Sequence, residues 1–150
     1  MNLSNAFKYA RGNALTETAL SAADYPASGS YLDVSGYPWV NVIIELGTVH
    51  GSDLPSFTLK CSDATNGTAD SIDATYAAHT IAADDDGELV TFAIETAKLP
   101  ADHHFLTCTV AAVTNGSYAN ILFLLGPALS QPVTQTTAVL PTASAHEYAG

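Results

Sequence analysis

The sequence predicts an all-β fold, a single antiparallel β-sandwich of about eight strands. Three observations carry that prediction. Four runs alternate apolar and polar residues with period two, and a fifth is apolar nearly throughout. Turn-forming residues separate the runs at the spacing of a sandwich or barrel. No apolar stripe of helical period competes with them.

Residues 39–49 form the strongest strand: Val40, Val42, Ile44 and Leu46 fall on one face, and Trp39, Asn41, Ile43 and Glu45 on the other. In 56–62, Phe57, Leu59 and Cys61 alternate with Ser56, Thr58 and Lys60, a half-buried strand. Residues 89–96 turn Val90, Phe92 and Ile94 inward against Thr91, Ala93 and Glu95. Residues 104–113 set Leu106, Cys108 and Val110 against Phe105, Thr107 and Thr109. The apolar run 119–125 fits a central strand covered on both faces. Weaker strands are expected at 17–22, 30–34 and 71–76. Asp86-Gly87 and Asn115-Gly116 sit between strand runs and have the chemistry of hairpin turns.

Three regions follow. Residues 1–14 have no apolar period and hold Lys8 and Arg11, half of the basic charge, so they are expected to form an N-terminal arm. Residues 15–127 form the sandwich. Residues 128–150 are expected to form an extended C-terminal arm, rich in Ala, Thr, Ser and Pro, with Glu147 its only Asp, Glu, Lys or Arg. Leu129, Val133, Val139, Leu140 and Tyr148 make that arm too apolar for a comfortable solvated linker. The expected destination is a sheet edge or groove of a neighbouring subunit, the alternative being a loose tail.

Composition excludes several classes. There are 4 Lys+Arg against 15 Asp+Glu, a net charge of −11. Phosphate neutralisation needs basic side chains, so no nucleic-acid partner is expected, and anionic membranes are repelled as well. No apolar run approaches the roughly 20 residues of a membrane helix, and from Met1-Asn2-Leu3-Ser4, which has no charged and then apolar stretch, no signal peptide is expected. Charged residues are 13% of the chain, against about 25% in typical domains. A surface this short of charge points to contact with other subunits.

The reactive residue types do not assemble into a site. Asp84-Asp85-Asp86-Gly87-Glu88 offers oxygen ligands for Ca²⁺ but lacks EF-hand spacing, and acidic turns form for local hydrogen-bonding reasons. His103 and His104 follow Asp102, yet neighbours on a strand point to opposite faces; His50, His79 and His146 are scattered. Cys61 and Cys108 lie in apolar alternating runs and read as buried free thiols, a disulfide being the lesser alternative. No Gly-x-Ser-x-Gly elbow or phosphate loop is present. Tyr25, Tyr31, Tyr37, Trp39 and Tyr76 could form a sugar-stacking platform, although such rings more often fill a core or interface. The expectation is no enzyme, no catalytic residue, no cofactor and no metal.

The stretch Gly36-Tyr37-Pro38-Trp39-Val40-Asn41-Val42-Ile43-Ile44-Glu45-Leu46-Gly47-Thr48, followed by Phe57-Thr58-Leu59-Lys60-Cys61-Ser62-Asp63-Ala64, resembles small cement or decoration proteins of tailed bacteriophages. So do Leu99-Pro100-Ala101-Asp102-His103-His104-Phe105-Leu106 and the strand 120–126 before an extended tail. The similarity covers roughly residues 15–127 as a pattern of style. Where similar chains often carry Ser-Asp-Asp-Gly, this one has Ser62-Asp63-Ala64-Thr65-Asn66-Gly67. The resemblance implies a jelly-roll-like domain on the outer surface of a virion capsid, made in the host cytoplasm. It implies the major capsid protein as partner, together with a homo-oligomer, dimer or trimer, and no catalytic residues. Residues 1–14 and 127–150 would be the contact arms. Alternatives are a phage tail, neck or head-fibre component and, further off, a carbohydrate-binding module.

Overall fold

A computed structural model of the chain describes residues 7–12, 19–51, 54–71, 79–82, 85–111 and 117–127. Within them lie ten strand segments: β1 (Lys8–Arg11), β2 (Ala23–Tyr25), β3 (Leu32–Asp33), β4 (Trp39–Leu46), β5 (Ser56–Ser62), β6 (Asp70–Ser71), β7 (His79–Thr80), β8 (Leu89–Glu95), β9 (Phe105–Ala111) and β10 (Ala119–Leu125). The only helical element among the described residues is a single 3-10 turn, Thr96–Lys98. All strand pairs are antiparallel, and they form two sheets. The first has the order β1-β10-β4-β8. In the second, β9 and β5 are central; β2 and β3 share the outer edge of β9, while β6 and β7 share the outer edge of β5. With each shared edge counted as one interrupted strand, both sheets are four strands wide. Numbered along the chain, their orders become 1-8-3-6 and 2-7-4-5.

The predicted alternation is what closes the sandwich. Val40, Val42 and Ile44 of β4 are fully buried and stand opposite Leu125, Phe123 and Ile121 of β10. Phe57, Leu59 and Cys61 of β5 face inward opposite Val110, Cys108 and Leu106 of β9. These two layers make one core cluster, and Phe57 and Phe123 are its largest fully buried side chains. Cys61 and Cys108 are both free and buried in it. On adjacent strands they are diagonal neighbours, because Cys108 pairs with Leu59 and Cys61 with Leu106. That places their Cα atoms at roughly 7–8 Å, beyond comfortable disulfide reach.

Four expectations are corrected. The segment 1–14 is not an arm throughout, because Lys8–Arg11 is the edge strand β1, paired with β10. The weak strand placed at 17–22 falls instead at Ala23–Tyr25, where Tyr25 supplies the ring that packs on the core. Asp86-Gly87 does form a turn, with Gly87 at φ +76°, but not a hairpin. It links β7 to β8, which lie in different sheets. Asn115-Gly116 is outside the described residues, and the strands it joins, β9 and β10, also lie in different sheets. Turn chemistry reverses the chain locally but does not choose which sheet the next strand enters. The strand expected at 30–34 is the short β3; of 71–76 only Ser71, in β6, is described, and the arm 128–150 lies outside the described residues.

Edge strand β1 is held by two close approaches. Gly12 N donates to Ile121 O at 2.7 Å, and a Cβ on Gly12 would meet Ile121 Cγ2 at 2.8 Å. At the other end the Phe7 ring lies directly on Gly126, leaving no room for a Cβ there. Gly126 also holds φ +157°, which a side chain rarely adopts, so Gly126→Val combines backbone strain with displacement of Phe7 and is expected to destabilise by about 3 kcal/mol or more. Urea unfolding should report it as a lower midpoint with an unchanged slope. A midpoint equal to the parent's would mean that Phe7 does not pack on Gly126.

Candidate interaction surface

The two sheets turn very different outer faces to their surroundings. On the β9–β5 sheet that face carries Thr107, Thr109, Thr58 and Lys60, and the chain's own loop between β2 and β3 covers much of it. Thr107 Oγ1 donates to Pro26 O at 2.8 Å and is fully buried. Asp24 accepts from Thr109 Oγ1 at 2.6 Å and from Tyr31 OH at 2.7 Å. Tyr31 is only 5% exposed as a result. Gly29 N reaches Thr65 O at 2.8 Å and ties the loop to the turn after β5. Among the described residues no buried side-chain N or O lacks a hydrogen-bond partner.

The outer face of the β1-β10-β4-β8 sheet is apolar and open. Its register places Arg11, Leu122, Ile43 and Thr91 in one row, and Leu124, Asn41 and Ala93 in the next. Trp39 stands opposite Glu95 at one end, and Leu89 opposite Glu45 towards the other. Among the described residues three large hydrophobics are exposed: Trp39 at 46%, Leu89 at 63% and Tyr118 at 39%. Strand parity puts all three on this side, with Tyr118 beside Gly47 beyond the end of β10. Leu122 and Leu124 are half-buried on it. The expectation that 119–125 is covered on both faces is thus met only on the inner face among the described residues. Full charges on the outer face are few. Arg11 balances Glu45, whose Oε2 accepts from Asn120 Nδ2 at 3.4 Å. Glu95 is paired with Lys98 at 2.9 Å. On a chain of net charge −11 this is a nearly neutral patch.

At the Trp39 end the face runs into a groove of about 520 Å³, walled by Tyr37, Pro38, Leu99 and Pro100, with Asp102 and His104 on its rim. Thr96 anchors it: its Oγ1 donates to Tyr37 O at 2.6 Å and its N to Pro38 O at 3.0 Å. Burial, and then the charge of Asp33, raises the Tyr37 phenol above its ordinary value.

The residues singled out for chemistry are dispersed. Asp86 Oδ1 accepts from Val49 N at 2.6 Å and Asp85 Oδ2 from Ala82 N at 2.7 Å, so these carboxylates fasten the turn before β8. His103 Nδ1 lies 2.8 Å from Ala101 O, in a turn where Asp102 adopts φ +65°. Among the described residues no group of three His, Cys, Asp or Glu side chains could hold a metal ion. The five aromatics do not form one platform: Tyr25 and Tyr31 belong to the β9–β5 sheet, Tyr37 to the groove and Trp39 to the open face, while Tyr76 is outside the described residues. No helix among the described residues is long and apolar enough to cross a membrane. Alternation alone could place Trp39 and Ile43 outward; the groove, assembled from 34–38 and 96–104, had no sequence signal.

The Asp24 region makes alkaline stability measurable. Burial, and secondarily the charge of Asp24, pushes the Cys108 thiol up to about 12. Tyr31 is raised by burial, then by its hydrogen bond to Asp24 and that carboxylate's charge. Folding therefore favours the protonated forms. Their contribution is fully present below the unfolded thiol value of 9.0 and is lost as pH rises toward 12. Unfolding free energy is expected to fall above about pH 9 with a slope near 1.4 kcal/mol per pH unit for the thiol alone. Cys108→Ala should flatten that first decline; equal slopes in the two proteins would remove the thiol as its source.

No protein-family model matches the chain, and neither does any curated protein or solved structure.

Proposed function

We propose that the protein is a structural virion component, a cement or decoration protein that binds the outer surface of a phage head and bridges major capsid protein subunits. The observation that carries this reading is the strand order 1-8-3-6 and 2-7-4-5. That order supports reading the sandwich as a jelly roll, an architecture of viral capsid and lectin domains. The nearly neutral apolar face supports it, since proteins that work by contact concentrate such surface in one patch. The acidic balance fits a position outside the shell, where the subunit does not face packed DNA. No catalytic role is proposed.

A filled head loads its shell outward, and a cement subunit opposes the separation of neighbouring capsomers. Specific binding needs an interface of about 1,600 Å² in total. Four strands at about 4.8 Å and seven residues at about 3.3 Å give the open face roughly 440 Å² in projection. The face alone falls short, so the arm 128–150 is assigned as the second contact. Many copies on one shell add multivalency: losing one contact leaves the others in place.

A second reading, carbohydrate binding, is favoured by one observation: the exposed Trp39 directly follows Tyr37 and Pro38, which line the groove.

Mixing the protein with expanded, undecorated heads should give stoichiometric co-sedimentation and symmetric density outside the shell by cryo-electron microscopy. Replacing the exposed pair, Trp39→Ser with Leu89→Ser, should weaken that binding by about tenfold or more and leave the unfolding midpoint nearly unchanged. Failure of the folded protein to bind heads would remove the capsid reading. Glycan-array binding lost in Trp39→Ala would establish the second.

A further inference from the structure

We propose that two copies of the chain pair edge to edge through β8, antiparallel about a two-fold axis at Phe92, and so join their two four-stranded sheets into one. Three observations converge on a second copy as the occupant of that edge. First, β8 is the one unguarded edge among the described residues. The edge strands of the β9–β5 sheet are pieces of two or three residues, and β1 carries Lys8 and Arg11 within four residues. Short strands and charges keep other chains off an edge. β8 runs for seven residues, Leu89–Glu95, without Pro, Gly, Lys or a bulge, and among the described residues it pairs only with β4. Its one ionisable residue, Glu95, stands at the last position and is paired with Lys98 at 2.9 Å.

Second, the free side of β8 is complementary to itself. Leu46 N donates to Glu88 O at 2.9 Å, and Thr96 N to Pro38 O at 3.0 Å. In this register the even-numbered residues of β8 bond to β4, and Leu89, Thr91, Ala93 and Glu95 turn their N–H and C=O groups outward. A two-fold at Phe92 sets Leu89 against Glu95, and Thr91 against Ala93, of the second copy. Each outward N–H then meets a carbonyl, and no like charges stand opposite each other. The same register carries Lys98 of each copy toward the acidic turn Asp85-Asp86-Gly87-Glu88 of the other. Such an isologous pairing closes at two copies.

Third, the inward side chains of β8 are incompletely covered. Ile94 is 1% exposed, but Val90 and Phe92 are only half-buried. Across the axis Phe92 meets its own counterpart at a non-hydrogen-bonded pair, where side chains approach most closely, and Val90 meets Ile94.

The axis stands perpendicular to the sheet, so the two open apolar faces lie on one side and merge, doubling the roughly 440 Å² of a single copy. The pairing does not rest on the capsid reading. Under that reading, the merged face comes closer to the area a specific contact needs.

Sedimentation equilibrium should give the mass of one chain, 15.6 kDa, at low concentration and twice that mass at high concentration. Over the same range the amides of Thr91 and Ala93 should exchange severalfold more slowly by NMR, because they gain partners only in the pair. Thr91→Lys with Ala93→Lys, at two exposed positions, sets like charges directly opposite across the axis. It should raise the dissociation constant by about tenfold or more and leave the unfolding midpoint of the single chain nearly unchanged. Thr91→Lys with Ala93→Glu sets opposite charges there and should restore the pairing. A parent that keeps the one-chain mass throughout overturns the proposal, and so does a mass that grows beyond two chains. A dimer that the two lysines leave intact also overturns it. A dimer that both double variants weaken alike, with no slowing at Thr91 and Ala93, overturns it too and assigns the second copy to the open face. Head binding, measured separately, tests the capsid reading, and its failure leaves this result unaffected.

Discussion

The two inner faces close on each other around Phe57 and Phe123, and the rest of the molecule follows from that closure. Each phenylalanine is fully buried among aliphatic side chains from its own sheet and the facing one. Burial of such rings is among the largest favourable contributions a small domain can make. It fixes the register of β4 against β10 and of β5 against β9, since a one-residue slip would turn every inward side chain to solvent. The outer faces are then decided by default: whatever alternates with the core residues must look outward.

What looks outward differs between the sheets. On β5 and β9 the outward set is mostly Thr, Ser and Lys, with Phe105 and Ala111 at the two ends of β9, and a loop carrying Tyr31 closes over part of it through hydrogen bonds among Tyr31, Asp24, Pro26, Thr107 and Thr65. On β4, β8 and β10 the outward set includes Trp39, Ile43, Leu89, Leu122 and Leu124. A monomer would gain solubility by exchanging these for charges. Their presence, on a face where the remaining ionisable groups are nearly balanced, sets this surface apart from the outer face of the other sheet. The proposed contact function draws on this asymmetry and on no single reactive group.

Connectivity adds a kinetic aspect. With the interrupted edges counted as single strands, only the link from β5 to β6 and β7 stays within one sheet; every other step crosses between sheets. Partners are therefore distant in sequence, as with Lys8 and Leu125. Such topologies fold slowly because loop closure precedes the contacts that reward it.

The sequence by itself determined the five long strands, the inward faces of the four that alternate and the burial of both cysteines, because each depends on a period of two that a strand cannot evade; the register of β5 against β9 decided that the thiols stay free. It also placed Trp39 and Ile43 outward for the same reason. Tertiary structure decided the rest. Lys8–Arg11 became a strand because β10 offered an edge, with Gly12 and Gly126 permitting the approach, and nothing in the segment's own pattern required it. Asp86-Gly87 could be recognised as a turn but not as a crossing between sheets, because sheet partners are chosen by packing over the whole core. The open face arose likewise: strands 39–46, 89–95 and 119–125 each carry only a few outward apolar residues, and pairing in one sheet made them a single surface.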